Sequence, residues 1–83
     1  VIIEFHPDVH KQLQRLPRKV FAAALDRIIA LVSEPRPHDV KKLVGSANEW
    51  RVRIGEYRII YEINDRADVI TVLNVDKRSD VYK

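Results

Sequence analysis

Arg51, Arg53 and Arg58 fall close together in the stretch Trp50-Arg-Val-Arg-Ile-Gly-Glu-Tyr-Arg-Ile-Ile-Tyr-Glu-Ile63. A guanidinium keeps its charge at any ordinary pH, and its planar fork binds two phosphate oxygens at once, so this side chain neutralises phosphate well and moves protons poorly. Such a set suits a phosphodiester whose own adjacent 2′-hydroxyl is the nucleophile. The protein then has only to orient the strand, absorb charge at the phosphate and handle two protons. Tyr82 is the expected base: a phenol titrates near about 10 unperturbed, and neighbouring guanidinium groups favour the phenolate. Two plainer readings stand beside these. Alternating arginines also solvate the outer face of a half-exposed sheet, and an aromatic near a chain end often simply docks.

The arginines acquire a common direction from the elements that carry them. Two runs of β-branched and aromatic residues flank Gly55-Glu56, and glycine at the first position of a two-residue loop suits a type II′ turn with Ile54 opposite Tyr57. Counting outward sets Arg53 against Arg58, Arg51 against Ile60, Val52 against Ile59 and Trp50 against Tyr61. Trp50, Val52, Ile54, Tyr57, Ile59 and Tyr61 then share one face, and the three arginines the other. Like charges directly opposite oppose folding on the scale of the ~0.2–1 kcal/mol of cross-strand pairs, a cost that a bound anion removes. Within the hairpin strands Glu62 is the one acid expected on the arginine face, at the end remote from the turn.

The remaining chain supplies a frame. Val1 to Phe5 reads as a strand ended by His6-Pro7. Val9, Leu13 and Leu16 follow helical spacing up to Pro17, and Val20, Phe21, Ala24, Leu25, Ile28, Leu31 and Val32 mark a second helix stopped by Pro35 and Pro37. Residues Glu34 to Glu49 read as a polar, basic connection carrying Lys41 and Lys42, with loop at Gly45 to Asn48. Asn64-Asp65-Arg66 is a turn, and Val69 to Val75 is a near-continuous apolar run expected to be a central strand covered on both faces. The order is β-α-α-β-β-β in a single α+β domain over residues 1–83, a helical hairpin on a small, mainly antiparallel sheet. Lys77, Arg78 and Tyr82 then gather at one end of that sheet.

Composition bounds the partners. The 83 residues are 46% hydrophobic and 33% charged with a formal net charge of +3, which fits a small folded domain and an anionic partner. The acids Asp8, Asp26, Glu34, Asp65 and Asp68 lie away from the arginine hairpin. No apolar run approaches the roughly 20 residues of a membrane-spanning helix and no signal peptide is apparent, so the cytoplasm is the expected location. Zero cysteine excludes thiol chemistry and cysteine-ligated metal. His6 and His10 are spaced i, i+4 but lack a third ligand, and His38 lies in a proline-flanked loop, so no metal and no cofactor is expected.

These motifs resemble the RelE/ParE superfamily of bacterial toxins, and within it RelE-type messenger-RNA interferases. Lys42-Leu43, the arginine hairpin, Ile70-Thr-Val-Leu-Asn-Val-Asp-Lys-Arg-Ser-Asp-Val-Tyr82 and the element order carry the resemblance over nearly the whole chain. It implies a metal-independent endoribonuclease of a toxin–antitoxin pair that cuts messenger RNA in the ribosomal A site and is neutralised by a cognate antitoxin. The implied site is Arg51, Arg53, Arg58, Arg78 and Tyr82, with Lys41, Lys42 and Lys77 as further RNA-binding residues. Two departures matter. Arginine stands at 51 and 53 where familiar members have lysine, and Lys77-Arg78 replaces a histidine found after the last strand in some relatives. The alternatives are a ParE-type toxin that binds DNA gyrase without cutting RNA, and a basic nucleic-acid-binding module without toxicity.

Overall fold

The computed structural model describes residues 1–45 and 48–77. The elements run β1 (Ile2–Phe5), α1 (Pro7–Gln14), α2 (Arg18–Ser33), β2 (Lys41–Lys42), β3 (Glu49–Ile54), β4 (Tyr57–Asn64) and β5 (Val69–Lys77). They build one five-stranded sheet in the order β1-β5-β4-β3-β2, in which only β1 pairs in parallel, with β5. The expected α+β fold is therefore present, with one addition. β2 is two residues long, too short to show any period in sequence, and it turns part of the expected loop into an edge strand.

Local chemistry explains the helix boundaries. His6 ends β1 and accepts a hydrogen bond at Nδ1 from the Asp8 backbone N–H (3.2 Å), so this histidine caps α1, with Pro7 in the first turn where no amide hydrogen is needed. Pro17 precedes α2, and its carbonyl accepts from Phe21 N–H at 2.9 Å. The second helix stops at Ser33, just before Glu34-Pro35, since a proline disfavours helical backbone in the residue ahead of it. Both helices pack on one face of the sheet. Val9 and Leu13 of α1 and Ala24, Ile28 and Leu31 of α2 meet Val52, Ile59, Tyr61, Ile63, Ile70, Val72 and Val75 in a single core, each large aliphatic side chain contributing about 1.5–3 kcal/mol on burial.

The hairpin register is the one its turn residues dictate: Ile54 pairs with Tyr57, Arg53 with Arg58, Arg51 with Ile60 and Trp50 with Tyr61. Gly55 adopts φ +57 while Glu56 stays in the negative-φ region, the backbone signature of a II′ turn. At the next turn Asn64 Oδ1 accepts from Ala67 N–H (3.1 Å). Along β4–β5 the pairing shifts between Ile60 and Tyr61, which face Asn74 and Val72, so Leu73 is a bulge residue on β5. The bulge also revises the expectation of a strand covered on both faces. Ile70, Val72 and Val75 are buried toward the helices, whereas Thr71, Leu73 and Asn74 are only half-buried.

Residues after α2 are clamped across the sheet. Tyr61, buried at the ring, donates its hydroxyl to the Pro35 carbonyl (2.8 Å). Arg36 bonds Asp65 at 2.9 Å and stacks 5.4 Å from the Trp50 ring centroid. Arg27 of α2 forks onto both carboxylate oxygens of Asp39 at 3.0 and 2.9 Å. The hydrogen bond from Arg27 holds the Asp39 carboxyl below its ordinary value, and desolvation pushes the Tyr61 phenol up to about 12.

Two outcomes test this frame. Gly55→Ala forces a Cβ into positive φ and lowers stability by about 1–2 kcal/mol in urea unfolding; no change would remove the II′ assignment. Because the folded state holds the Tyr61 proton more tightly than the unfolded chain, whose phenol titrates near about 10, its contribution is full below that pH and lost as pH rises toward 12. Tyr61→Phe flattens this alkaline loss in pH-dependent melting, while costing about 1 kcal/mol at neutral pH for the missing hydrogen bond.

Candidate functional site

Register decides which side chains share the face that the helices leave uncovered. Directly opposed residues point to the same side of a sheet, so the pairing writes that face as three rows across β3, β4 and β5: Glu49, Glu62 and Thr71; then Arg51, Ile60 and Asn74; then Arg53, Arg58 and Asp76. The three arginines thus come together as expected, in two adjacent rows near the hairpin turn. Their surroundings differ. Arg53 is exposed, Arg51 half-buried, and Arg58 is only 1% exposed, the one charged residue among the buried ones.

The burial of Arg58 follows from its place on the middle strand of the three, with Arg53 on one side and Asp76 on the other. A guanidinium removed from water is held by its neighbours, and its stem packs as an apolar chain. It therefore points in a fixed direction, while the exposed Arg53 beside it retains more rotamer freedom. Together they make a graded cationic surface, one charge anchored and one adaptable, that can grip a phosphate from two sides.

The lysines separate. Lys41 pairs with Arg51 and so joins the arginine face, extending it along the β2 edge. Lys42 pairs with Trp50, and Lys77 with Tyr57, which places both on the helix side of the sheet. Arg78 and Tyr82 lie outside the described residues. Among the described residues no group of three or more histidine, aspartate and glutamate side chains is placed to hold a metal ion.

Two residues of this face were not singled out by sequence. Asp76 brings a carboxylate opposite Arg58, so the acid-poor face read from the hairpin alone is bounded by Glu49 and Glu62 at one end and Asp76 at the other. Asn74 sits beside Ile60 with its Oδ1 buried and receiving no hydrogen bond from the described residues. The bulge at Leu73 hid both, because plain alternation from Val72 assigns Asn74 and Asp76 to the helix side. Only the position of the extra residue reverses that count.

The pattern of the ParE toxin family, described as the ParE toxin of type II toxin-antitoxin systems, parDE, matches residues 3–82. The chain is 32% identical over 84 aligned positions to the toxin RelE1 of Methanocaldococcus jannaschii, covering 98% of this chain and 93% of the relative. It is 28% identical over 82 positions to toxin RelG of Mycobacterium tuberculosis, with 98% and 94% covered. Among solved structures, RelE in the archaeal RelE–RelB complex of Pyrococcus horikoshii superposes with a TM-score of 0.82 at 35% identity, covering 93% of each chain. The isolated RelE toxin of E. coli gives 0.82 at 25% identity, with 98% and 89% covered. A match over nearly every residue, joined to the same fold, establishes that the chain belongs to the ParE toxin family of type II toxin–antitoxin systems.

Proposed function

We propose that this toxin is a metal-independent endoribonuclease that cuts messenger RNA in the ribosomal A site. The observation that carries the reading is the convergence of Arg51, Arg53 and Arg58 on the helix-free face, in adjacent rows. An RNA strand supplies its own nucleophile, the 2′-hydroxyl, so a site rich in fixed cations and poor in ordinary bases is chemically sufficient for charge stabilisation. In this mechanism Arg58 binds a non-bridging oxygen of the scissile phosphate from a rigid position, and Arg53 and Arg51 hold the strand on either side. As negative charge grows on the phosphorane, these contacts strengthen, which is where the rate is gained. Tyr82 takes the 2′-hydroxyl proton and Arg78 supplies a further phosphate contact. The 2′-oxygen bonds to phosphorus as the P–O5′ bond breaks, leaving a 2′,3′-cyclic phosphate and a 5′-hydroxyl.

Lys41, on the same face, and Lys42 and Lys77, on the other, add contacts to RNA. The P. horikoshii relative is found with RelB, and we assign this chain a cognate antitoxin as its partner, acting in the cytoplasm. A second reading, inhibition of DNA gyrase by binding alone, draws support from the parDE wording of the family description. It gives the clustered arginines no chemical task.

The experiment is a purified translation reaction with ribosomes stalled on a labelled messenger, mapped by primer extension. Ribosome-dependent cuts confined to the A-site codon are expected. A folded, antitoxin-free protein that makes none would end this reading and move attention to a supercoiling assay. Arg53→Ala, at an exposed position, should lower the cleavage rate about 10²–10³-fold while shifting stability by no more than about 0.5 kcal/mol. Arg58→Ala should abolish cleavage and also cost at least about 2 kcal/mol in urea unfolding, because it empties a buried site; equal stability of the two variants would contradict the burial of Arg58. Tyr82→Phe should slow the single-turnover step, and an unchanged rate would retire the tyrosine as base.

A further inference from the structure

On the helix side of the sheet, at the same end as the arginines, α1 and the ends of β4 and β5 enclose an open cleft of about 150 Å³. Its wall is the half-buried Tyr57, its floor is Leu16 and Val75, and Arg15 and Lys77 stand exposed at its rim. The volume is below the ~300–1,000 Å³ of sites for drug-sized ligands, so it holds one planar ring and no more. The cleft is built rather than incidental. β1 ends at Phe5, opposite Val72, and the edge of β5 beyond that point is closed by Gln12, whose Oε1 accepts from Val75 N–H at 2.7 Å. This bond fixes the distance between α1 and β5. The last carbonyls of α1 do not face the cleft unused, since Gln12 and Leu13 accept from Arg15 and Leu16 N–H, both at 3.2 Å.

Charge identifies the occupant. From Val9 to Leu25 the chain holds Lys11, Arg15, Arg18 and Lys19 and no acid, so the turn between the helices forms a basic corner beside the cleft. Asp76 is the acid in the lining, and its Oδ1 accepts from the Lys77 N–H at 2.7 Å. An aromatic wall with an apolar floor and cations at the rim is the arrangement that takes an unstacked base and its phosphate in single-stranded nucleic acid. Tyr57 and Lys77 adjoin Arg58 and Asp76 in sequence, so a strand leaving the arginine face reaches the cleft by turning around the end of the sheet.

We infer that this cleft is a second RNA subsite, which stacks one flanking base on Tyr57 and holds its phosphate between Arg15 and Lys77. The inference rests on the RNA-cleaving reading and extends it. Its test is an NMR titration of the antitoxin-free full chain with a 2′-O-methyl pentaribonucleotide, which cannot be cut. Upfield shifts of the Tyr57 ring protons are expected on binding. In Arg15→Gln/Lys77→Gln the affinity should drop about three- to tenfold, and the slope of log K against log salt should flatten by about 1.4, or roughly 0.7 for each lost phosphate contact on a single strand. Arg53→Ala separates the two ideas. If it weakens binding while the double variant and the Tyr57 signals do not respond, the arginine face stands and the cleft proposal is overturned, leaving the basic corner to an acidic protein segment. If only the double variant weakens binding, the cleft binds RNA and the arginine-face reading fails. Indifference of both variants overturns both.

Discussion

The arrangement of this molecule depends on the register of one hairpin. Side chains alternate across a strand with a period of two, so a slip of one residue between β3 and β4 would turn the arginines into the helices and Val52, Ile59 and Tyr61 into water. Gly55 prevents the slip by accepting a backbone conformation closed to most residues. The core enforces the same answer from the other face, because the residues opposite the arginines are the ones that meet α1 and α2. Turn chemistry and burial agree, and that agreement holds two facing arginines in place despite their repulsion.

Choosing arginine over lysine suits this position. A buried lysine can shed its proton to escape desolvation, whereas a guanidinium remains charged and must be held by its surroundings. Arg58 thus keeps a permanent positive charge inside the protein, at 1% exposure, with a carboxylate one strand away at Asp76. A proton-shuttling role for these side chains would run against their chemistry. What they offer is a fixed field, which falls with distance and with solvent screening and so acts only on groups brought onto this face.

Most of the frame was legible in the sequence because it is written in strong local signals: prolines at 7, 17 and 35 punctuate the helices, glycine at 55 sets the turn, and alternation from Trp50 to Tyr61 assigns the faces. Three features were not. β2 is held by pairing with β3 and carries no pattern of its own. The bulge at Leu73 inverts the parity of the last strand, which concealed Asp76 and Asn74 from any count along the chain. The burial of Arg58 is a property of three strands side by side, and its composition looks the same as that of the exposed Arg53. His6 illustrates the opposite error of reading too little, since a residue set aside as surface decoration serves as the helix cap.

The parallel pairing of β1 with β5 joins Ile2 to Val69 and Phe5 to Val72, and α1 is tied to the same last strand through Gln12 and Val75. During synthesis the first strand and first helix therefore wait for a partner that has not yet been made, for several seconds at the ~5–20 residues per second of a translating ribosome. Until then the apolar sides of both helices have no complete sheet to cover them. Folding of this small domain is thus tied to the completion of its chain, and the nascent form carries an interval of exposed apolar surface that high non-local contact lengthens.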